Sequence, residues 1–368
     1  MKRQETRSLR NPLLMAAACC CVLFSCGDGN ETGKDQKQTR GQEKTAKETA
    51  RQKITKRSRL QMGTIFEITV SADPDKDAVP SIDSAFEEIA RIESLMSEYN
   101  PDSAVSRINT QAGLSPVRVN DEMYMIFEKA IEASRITSGS FDITFAALRG
   151  VWDFKATPPR LPSKSAIAAK IGLINYRDVI LNPDKKTVFL RRKGMRAGLG
   201  GIAKGYAADQ ASKLLVSSGF ANHIIFGGGD LKINGSKNGE HWKIGIRHPR
   251  DRKKIFARIP VTRDQAVVTS GDYESFFEIN GTRYHHIIDP STGYPARGCI
   301  SVTVMAPTAV QADTLATGIF VLGPEKGLAL AESMKDVEAF ILDEKMKKYV
   351  SEGLKKLVAL DSSLDLRE

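Results

Sequence analysis

The run from His285 to Phe320, HHIIDPSTGYPARGCISVTVMAPTAVQADTLATGIF, constrains the fold more than any other stretch. Asp289-Pro290-Ser291-Thr292-Gly293 reads as a tight turn. An alternating strand follows, with Ile300, Val302 and Val304 expected on one face, and from Pro307 the apolar spacing becomes helical. A strand feeding a helix calls for a sheet with helices packed on it. On that helix Asp313 and Thr317 stand four residues apart, so a carboxylate and a hydroxyl project from one face. Such oxygen donors suit Mg²⁺, which substrate phosphates usually complete. The pair also has a plain structural account, an acid near a helix start and a threonine bonded back to its own helix.

The net charge of +10 suggests nucleic acid until it is located. Residues 1–60 hold 14 Lys/Arg against 6 Asp/Glu, and the rest hold 40 against 38. A nearly neutral body gives nucleic acid no electrostatic footprint, so that partner is excluded. Cys299 is the one cysteine beyond Cys26, too few for a disulfide framework or a thiolate metal cluster.

Lys2, Arg3, Arg7 and Arg10 precede an apolar run, Pro12 to Phe24, that has the length of a signal-peptide core and is too short to span a bilayer. It ends Leu23-Phe24-Ser25-Cys26, similar to a bacterial lipobox, which makes Cys26 the expected lipidation site. Cleavage by an ordinary signal peptidase is the rival reading, and either route exports the protein. Residues 26–59 are Lys, Gln, Glu and Thr with little to bury, so a disordered tether is expected.

The folded domain is expected over residues 60–345, with 346–368 as a polar tail. Leu60 to Ser71 alternates as a strand, and Ile82, Phe86, Ile89, Ile92, Leu95 and Met96 mark an amphipathic helix that Asn100-Pro101 ends. Ser103 to Asn109 reads as connection, and Glu122 to Ser138 as a second helix. Ser163 to Ile171 is a further helix, followed by strands Val179–Leu181 and Thr187–Leu190. Next, AGLGGIAKGYAAD (Ala197 to Asp209) is a glycine-rich loop entering a helix that ends near Ser218. Glycines there let a phosphate approach free backbone N–H groups, or merely let a strand and a helix pack closely.

His223 to Phe226 is a buried-type strand leading into Gly227-Gly228-Gly229-Asp230, where the backbone is expected to pass something planar or another chain. Trp242–Ile246 and Phe256–Val261 read as strands, Thr269 to Tyr273 as a turn, and Asn280-Gly281 as the centre of a hairpin. A helix from Pro324 to Met334 and a strand from Val337 to Leu342 close a single α+β domain of mixed sheets packed with helices.

Several ordered motifs resemble the FAD:protein FMN transferase (ApbE) family. They are Met62-Gly63-Thr64, Ser97-Glu98-Tyr99-Asn100-Pro101, Gly139-Ser140-Phe141-Asp142, Gly200 to Ala207, Gly227 to Asp230, His286 to Pro290, and Ala312-Asp313. The resemblance implies an ApbE-like, T-fold-type domain on an exported, lipid-anchored protein facing the periplasm. It also implies FAD as substrate, Mg²⁺ as cofactor, and transfer of FMN to a threonine of an exported target, such as a subunit of a membrane redox complex, with release of AMP. By the same resemblance Asp313, Thr317 and the Gly201 carbonyl would bind the metal. Met62, Tyr99, Ser140, Phe141 and Asp142 would line the cofactor, and Lys204 and His286 would lie near the pyrophosphate.

The chain departs from the family's pattern at two positions. Gly198 stands where many relatives have an acid that contacts the cofactor, and Ala316 where some place a second carboxylate, which would leave Asp313 to hold the metal alone. His286 is the candidate general base and Asp289 its competitor, while His285 has an equal claim to be a core histidine. Tyr99 and Phe141 could simply pack, and Asp142 could cap a helix. The rival functions are a Mg²⁺-dependent FAD pyrophosphatase, a flavin-binding lipoprotein without activity, and a carbohydrate- or peptide-binding lipoprotein.

Overall fold

The computed structural model describes residues 52–251 and 253–359, with the backbone alone for 358 and 359. The expected signal peptide, the lipidation site Cys26 and the tether up to residue 51 lie outside the described residues. In chain order the elements begin with β1 (Lys53–Gln61), β2 (Thr64–Ala72), α1 (Val79–Met96), α2 (Ala104–Thr110), β3 (Val117–Arg118) and α3 (Asp121–Ile136). After a 3-10 helix, Ile143–Leu148, come α4 (Lys164–Ile171), β4 (Val179–Asn182), β5 (Thr187–Leu190) and α5 (Gly200–Ser217). The strands β6 (His223–Gly227), β7 (Asp230–Asn234), β8 (Trp242–Arg247), β9 (Ile255–Val261) and β10 (Gln265–Gly271) follow. A hairpin, β11 (Phe276–Ile279) and β12 (Thr282–His285), precedes β13 (Cys299–Ala306) and α6 (Ala309–Leu322). The described chain ends with α7 (Pro324–Glu332), β14 (Glu338–Asp343), β15 (Lys348–Val350) and α8 (Glu352–Ala359).

Eight strands form the central sheet in the order β1-β2-β6-β7-β10-β13-β14-β15, with antiparallel neighbours throughout. One face packs on the large core that includes Phe86 and Ile89 of α1, Ala207 and Ala211 of α5, and Ile319 of α6. The other face packs on a second core with the β8-β9 hairpin and Leu354 of α8. Central strands are therefore buried on both sides and carry continuous apolar runs, as Ile224-Ile225-Phe226 does. The planar neighbour of the glycine run is the Phe66 ring, which a Cβ on Gly227 would meet at 2.5 Å.

Five expectations are corrected. Pairing begins at Lys53 rather than Leu60, because β1 is an edge strand held to β2 by its backbone and exposed along most of its length. Its charges are held outward, with Arg59 2.6 Å from Asp83 and Lys56 2.8 Å from Glu67, so no apolar alternation marks it. Residues 104–110 form a helix rather than a connection, with the Ser103 hydroxyl accepting from Ser106 N at its start. Thr269 to Gly271 continue β10 and pair with β13. Ile300 faces the second core while Val302 and Val304 face the first, because the register shifts between Cys299 and Ser301. The chain beyond 345 adds β15 to the sheet edge and buries Leu354.

Candidate active site

The site is set by how closely α5 and α6 approach. A Cβ on Gly205 would lie 2.3 Å from the Ala309 carbonyl oxygen, so only glycine lets α5 rest against the first turn of α6. One turn further along α5, the buried Asp209 carboxylate accepts from Ala309 N at 2.9 Å and Val310 N at 3.0 Å, capping α6. These two contacts fix the register that brings Lys204 of α5 opposite Asp313 of α6.

Asp313 is buried, and its carboxylate accepts from Gly205 N at 3.2 Å and from Lys204 Nζ at 3.3 and 3.4 Å. The same ammonium lies 3.0 Å from Oδ2 of Asp230, the first residue of β7. Burial works against the charge of Lys204, but Asp230 and Asp313 outweigh it and raise its pKa. Asp230 moves upward as well, through its own burial and the nearby Asp313 charge, with Lys204 opposing. Its Oδ2 accepts no hydrogen bond despite the ion pair.

This cluster opens into a cavity of about 930 Å³ that Gly200, Gly201, Thr317 and His286 also line. Helix α5 starts without a side-chain cap, and the N–H groups of Gly200 and Gly201 have no partner among the described residues. A helix N-terminus of that kind receives anions. Gly201 packs under the Phe141 ring, and a Cβ there would lie 3.8 Å from Thr317 Oγ1. Asp313, Asp230, Thr317 and the Gly201 backbone thus offer oxygen donors alone, which fits a hard cation finished by ligand oxygens. Among the described residues no group of three His, Cys, Asp or Glu side chains is arranged to hold a metal unaided. Ala316 is in the core, and a second acid, Asp230 on the sheet, lines the cavity beside Asp313.

His286 lines the cavity, and its Nδ1 is 3.3 Å from the Ser275 carbonyl, which also accepts the His286 backbone N–H at 3.0 Å. A carbonyl can only accept, so Nδ1 carries the proton and Nε2 is left with its lone pair. Surrounding protein and the Lys204 charge keep this imidazole below its ordinary pKa. Asp289, the competing base, does not line the cavity. Its carboxylate closes the turn instead, accepting from Ser291 N at 2.8 Å and Ser291 Oγ at 2.7 Å. His285 is a core histidine: Nε2 donates to the Ala296 carbonyl at 2.9 Å, and the ring meets Phe320 edge-on.

Met62, Tyr99, Ser140, Phe141, Asp142 and Gly198 all reach the cavity wall. Asp142 does so with its carboxylate occupied, because Oδ1 accepts from Thr144 N and Oγ1 and Oδ2 accepts from Tyr176 N. It caps the 3-10 helix, as its position beside Phe141 allowed. Tyr99 is 77% exposed, under the Arg149 guanidinium 4.2 Å from its ring centre. Sequence reasoning missed Asp230 as a site residue, although an acid directly after three glycines on a buried strand was a usable signal. It also passed over Glu98 and Arg149 on the same wall.

The ApbE family model matches residues 62–341 of this chain. A protein of Treponema pallidum named FAD:protein FMN transferase is 34% identical over 313 residues, covering 80% of this chain and 86% of its own length. The crystal structure of an ApbE protein from Thermotoga maritima superposes with a TM-score of 0.77 at 33% identity, over 83% of this chain and 99% of that one. The flavin transferase ApbE of Vibrio cholerae gives a TM-score of 0.72 at 28% identity, over 83% and 99%. With a glycine-started helix, a buried acid pair and a cavity on one antiparallel sheet, the chain belongs to the ApbE family.

Proposed function

We infer that this chain is an enzyme that moves the FMN half of FAD onto a target protein, as the names of its relatives describe. We further propose that the acceptor is a threonine hydroxyl of an exported protein, that Mg²⁺ assists, and that lipidated Cys26 holds the enzyme at a membrane facing the periplasm. The observation that carries the catalytic reading is the meeting of Asp313, Asp230 and Lys204 beside the free start of α5 in a cavity of about 930 Å³.

In this reading the acceptor oxygen attacks the phosphorus on the FMN side, the bridging P–O bond breaks, and AMP leaves with that electron pair. Nε2 of His286 takes the hydroxyl proton, which its neutral, Nδ1-protonated form permits. The N–H groups of Gly200 and Gly201 and the Lys204 ammonium stabilise charge on the phosphate oxygens. Asp313, Thr317 and the Gly201 carbonyl would hold Mg²⁺, with Asp230 close by. When bound, that ion supplies Lewis-acid polarisation of the phosphate oxygens.

The test is mass spectrometry of an exported acceptor protein incubated with the enzyme, FAD and Mg²⁺. A gain of one FMN on threonine, with AMP released and loss of both on chelation, is the expected result. Free FMN and AMP with the acceptor unmodified would replace transfer by pyrophosphate hydrolysis.

A further inference from the structure

We propose that Glu98 is a cofactor-recognition residue, a carboxylate that accepts a hydrogen bond from a donor group of the bound FAD beside Gly198. The inference rests on FAD being the ligand of the cavity. At Gly198 the wall must be bare backbone: a Cβ there would lie 2.9 Å from Ala146 Cβ, while Gly198 N donates to the Ile143 carbonyl at 2.8 Å. Glu98 reaches the same place from the end of α1, with Oε1 3.6 Å from where that Cβ would stand. Its side chain is 18% exposed and lines the cavity.

The carboxylate is held in place yet incompletely used. Arg149 Nη1 donates to the Glu98 carbonyl at 2.8 Å and lies 3.4 Å from Oε2, while its guanidinium stacks on Tyr99. That clamp fixes residues 98 and 99 and engages one carboxylate oxygen. Oε1 has no hydrogen-bond partner among the described residues. An acceptor oxygen on the wall of a dinucleotide cavity, lacking a protein donor, fits ligand N–H or O–H groups. FAD carries such donors on both halves, the adenine amine and ribose hydroxyls on one, the ribityl hydroxyls and flavin imide on the other.

Equilibrium binding of FAD, AMP and FMN to the full chain, with wild type, Glu98→Ala and Glu98→Gln, tests this without relying on turnover. Glu98→Ala is expected to weaken FAD about tenfold to a hundredfold, the range for a hydrogen bond to a charged group. Glu98→Gln, which keeps an acceptor oxygen without the charge, should fall between. Parallel weakening of AMP with FMN unchanged assigns the contact to the adenosine half, and the converse assigns it to the flavin half. Unchanged affinity for all three ligands in a variant that melts like wild type overturns the proposal. So does equal weakening of all three with a melting temperature lowered alike in Glu98→Ala and Glu98→Gln, the mark of a structural ion pair with Arg149. Wild-type enzyme that binds FAD but transfers no FMN, with FAD binding weakened in Glu98→Ala, would instead strike the transfer reading and leave the Glu98 contact standing.

Discussion

Lys204 of α5 and Asp230 of β7 meet on the cavity wall, with Nζ and Oδ2 3.0 Å apart. Asp313 lies 3.3 Å from the same ammonium, so one lysine is shared by two buried acids. Phosphoryl transfer asks a protein chiefly for placed charge, and here three residues hold each other in position before any ligand arrives.

Asp230→Asn is expected to lower the transfer rate by roughly tenfold to a hundredfold while leaving the fold intact. The amide keeps the shape of the carboxylate, but Lys204 then pairs with Asp313 alone and holds it away from an incoming cation. Steady-state rates across a Mg²⁺ titration should show the apparent metal requirement rising. An unchanged titration would reduce Asp230 to a packing role.

Asp313→Ala should lose on the order of a hundredfold or more in rate with FAD binding retained. Fluorescence quenching of FAD separates binding from turnover. Full activity in this variant would remove the proposed metal role.

The pKa of His286 lies below its ordinary value, so the ring is already neutral at pH 7 and the base form is present. The transfer rate should be flat near neutrality and fall as pH drops through a value below about 6.5. His286→Gln should remove that limb along with roughly a hundredfold or more of the rate. A pH profile identical in wild type and His286→Gln would point to another base.

Two other histidines make stability depend on pH. Burial pushes both His223 and His285 down to about 4. Between that value and the unfolded value near 6.5 the unfolded chain binds more protons, so stability is full above pH 6.5 and declines as pH falls towards 4. Melting temperatures measured from pH 7 to 4 should drop, with a shallower slope in His285→Gln.

Gly205→Ala places a methyl against the Ala309 carbonyl, at 2.3 Å before relaxation. Separating α5 from α6 is expected to cost about 1–3 kcal/mol. The same displacement moves Lys204 from Asp313, so activity should fall further than stability alone explains. Chemical denaturation and single-turnover assays on one preparation compare the two.

A version beginning at Leu60 loses most of β1 and uncovers the edge of β2. It should melt roughly several degrees below one beginning at Gln52 and aggregate more readily. Equal melting temperatures would make β1 dispensable.

The sequence by itself determined the features that depend on local spacing. Asp313 and Thr317 share a helix face because four residues make about one helical turn. The glycines of Ala197 to Gly205 announce a helix start that leaves N–H groups free, and Asn280-Gly281 announces a hairpin. Buried elements were legible for the same reason: Ile82 to Met96 and His223 to Phe226 carry periodic or continuous apolar side chains. Where burial did not shape the residues, the pattern was silent. Edge strand β1 pairs through backbone groups that any sequence supplies, and one shifted residue at Cys299 turned Ile300 to the other face. Tertiary structure alone decided which distant polar groups meet. It brought Asp230 to Lys204 and Glu98 to Gly198, and it kept Asp289 in its own turn. Such pairings depend on distances across packed elements, which the order of residues along a chain does not encode directly.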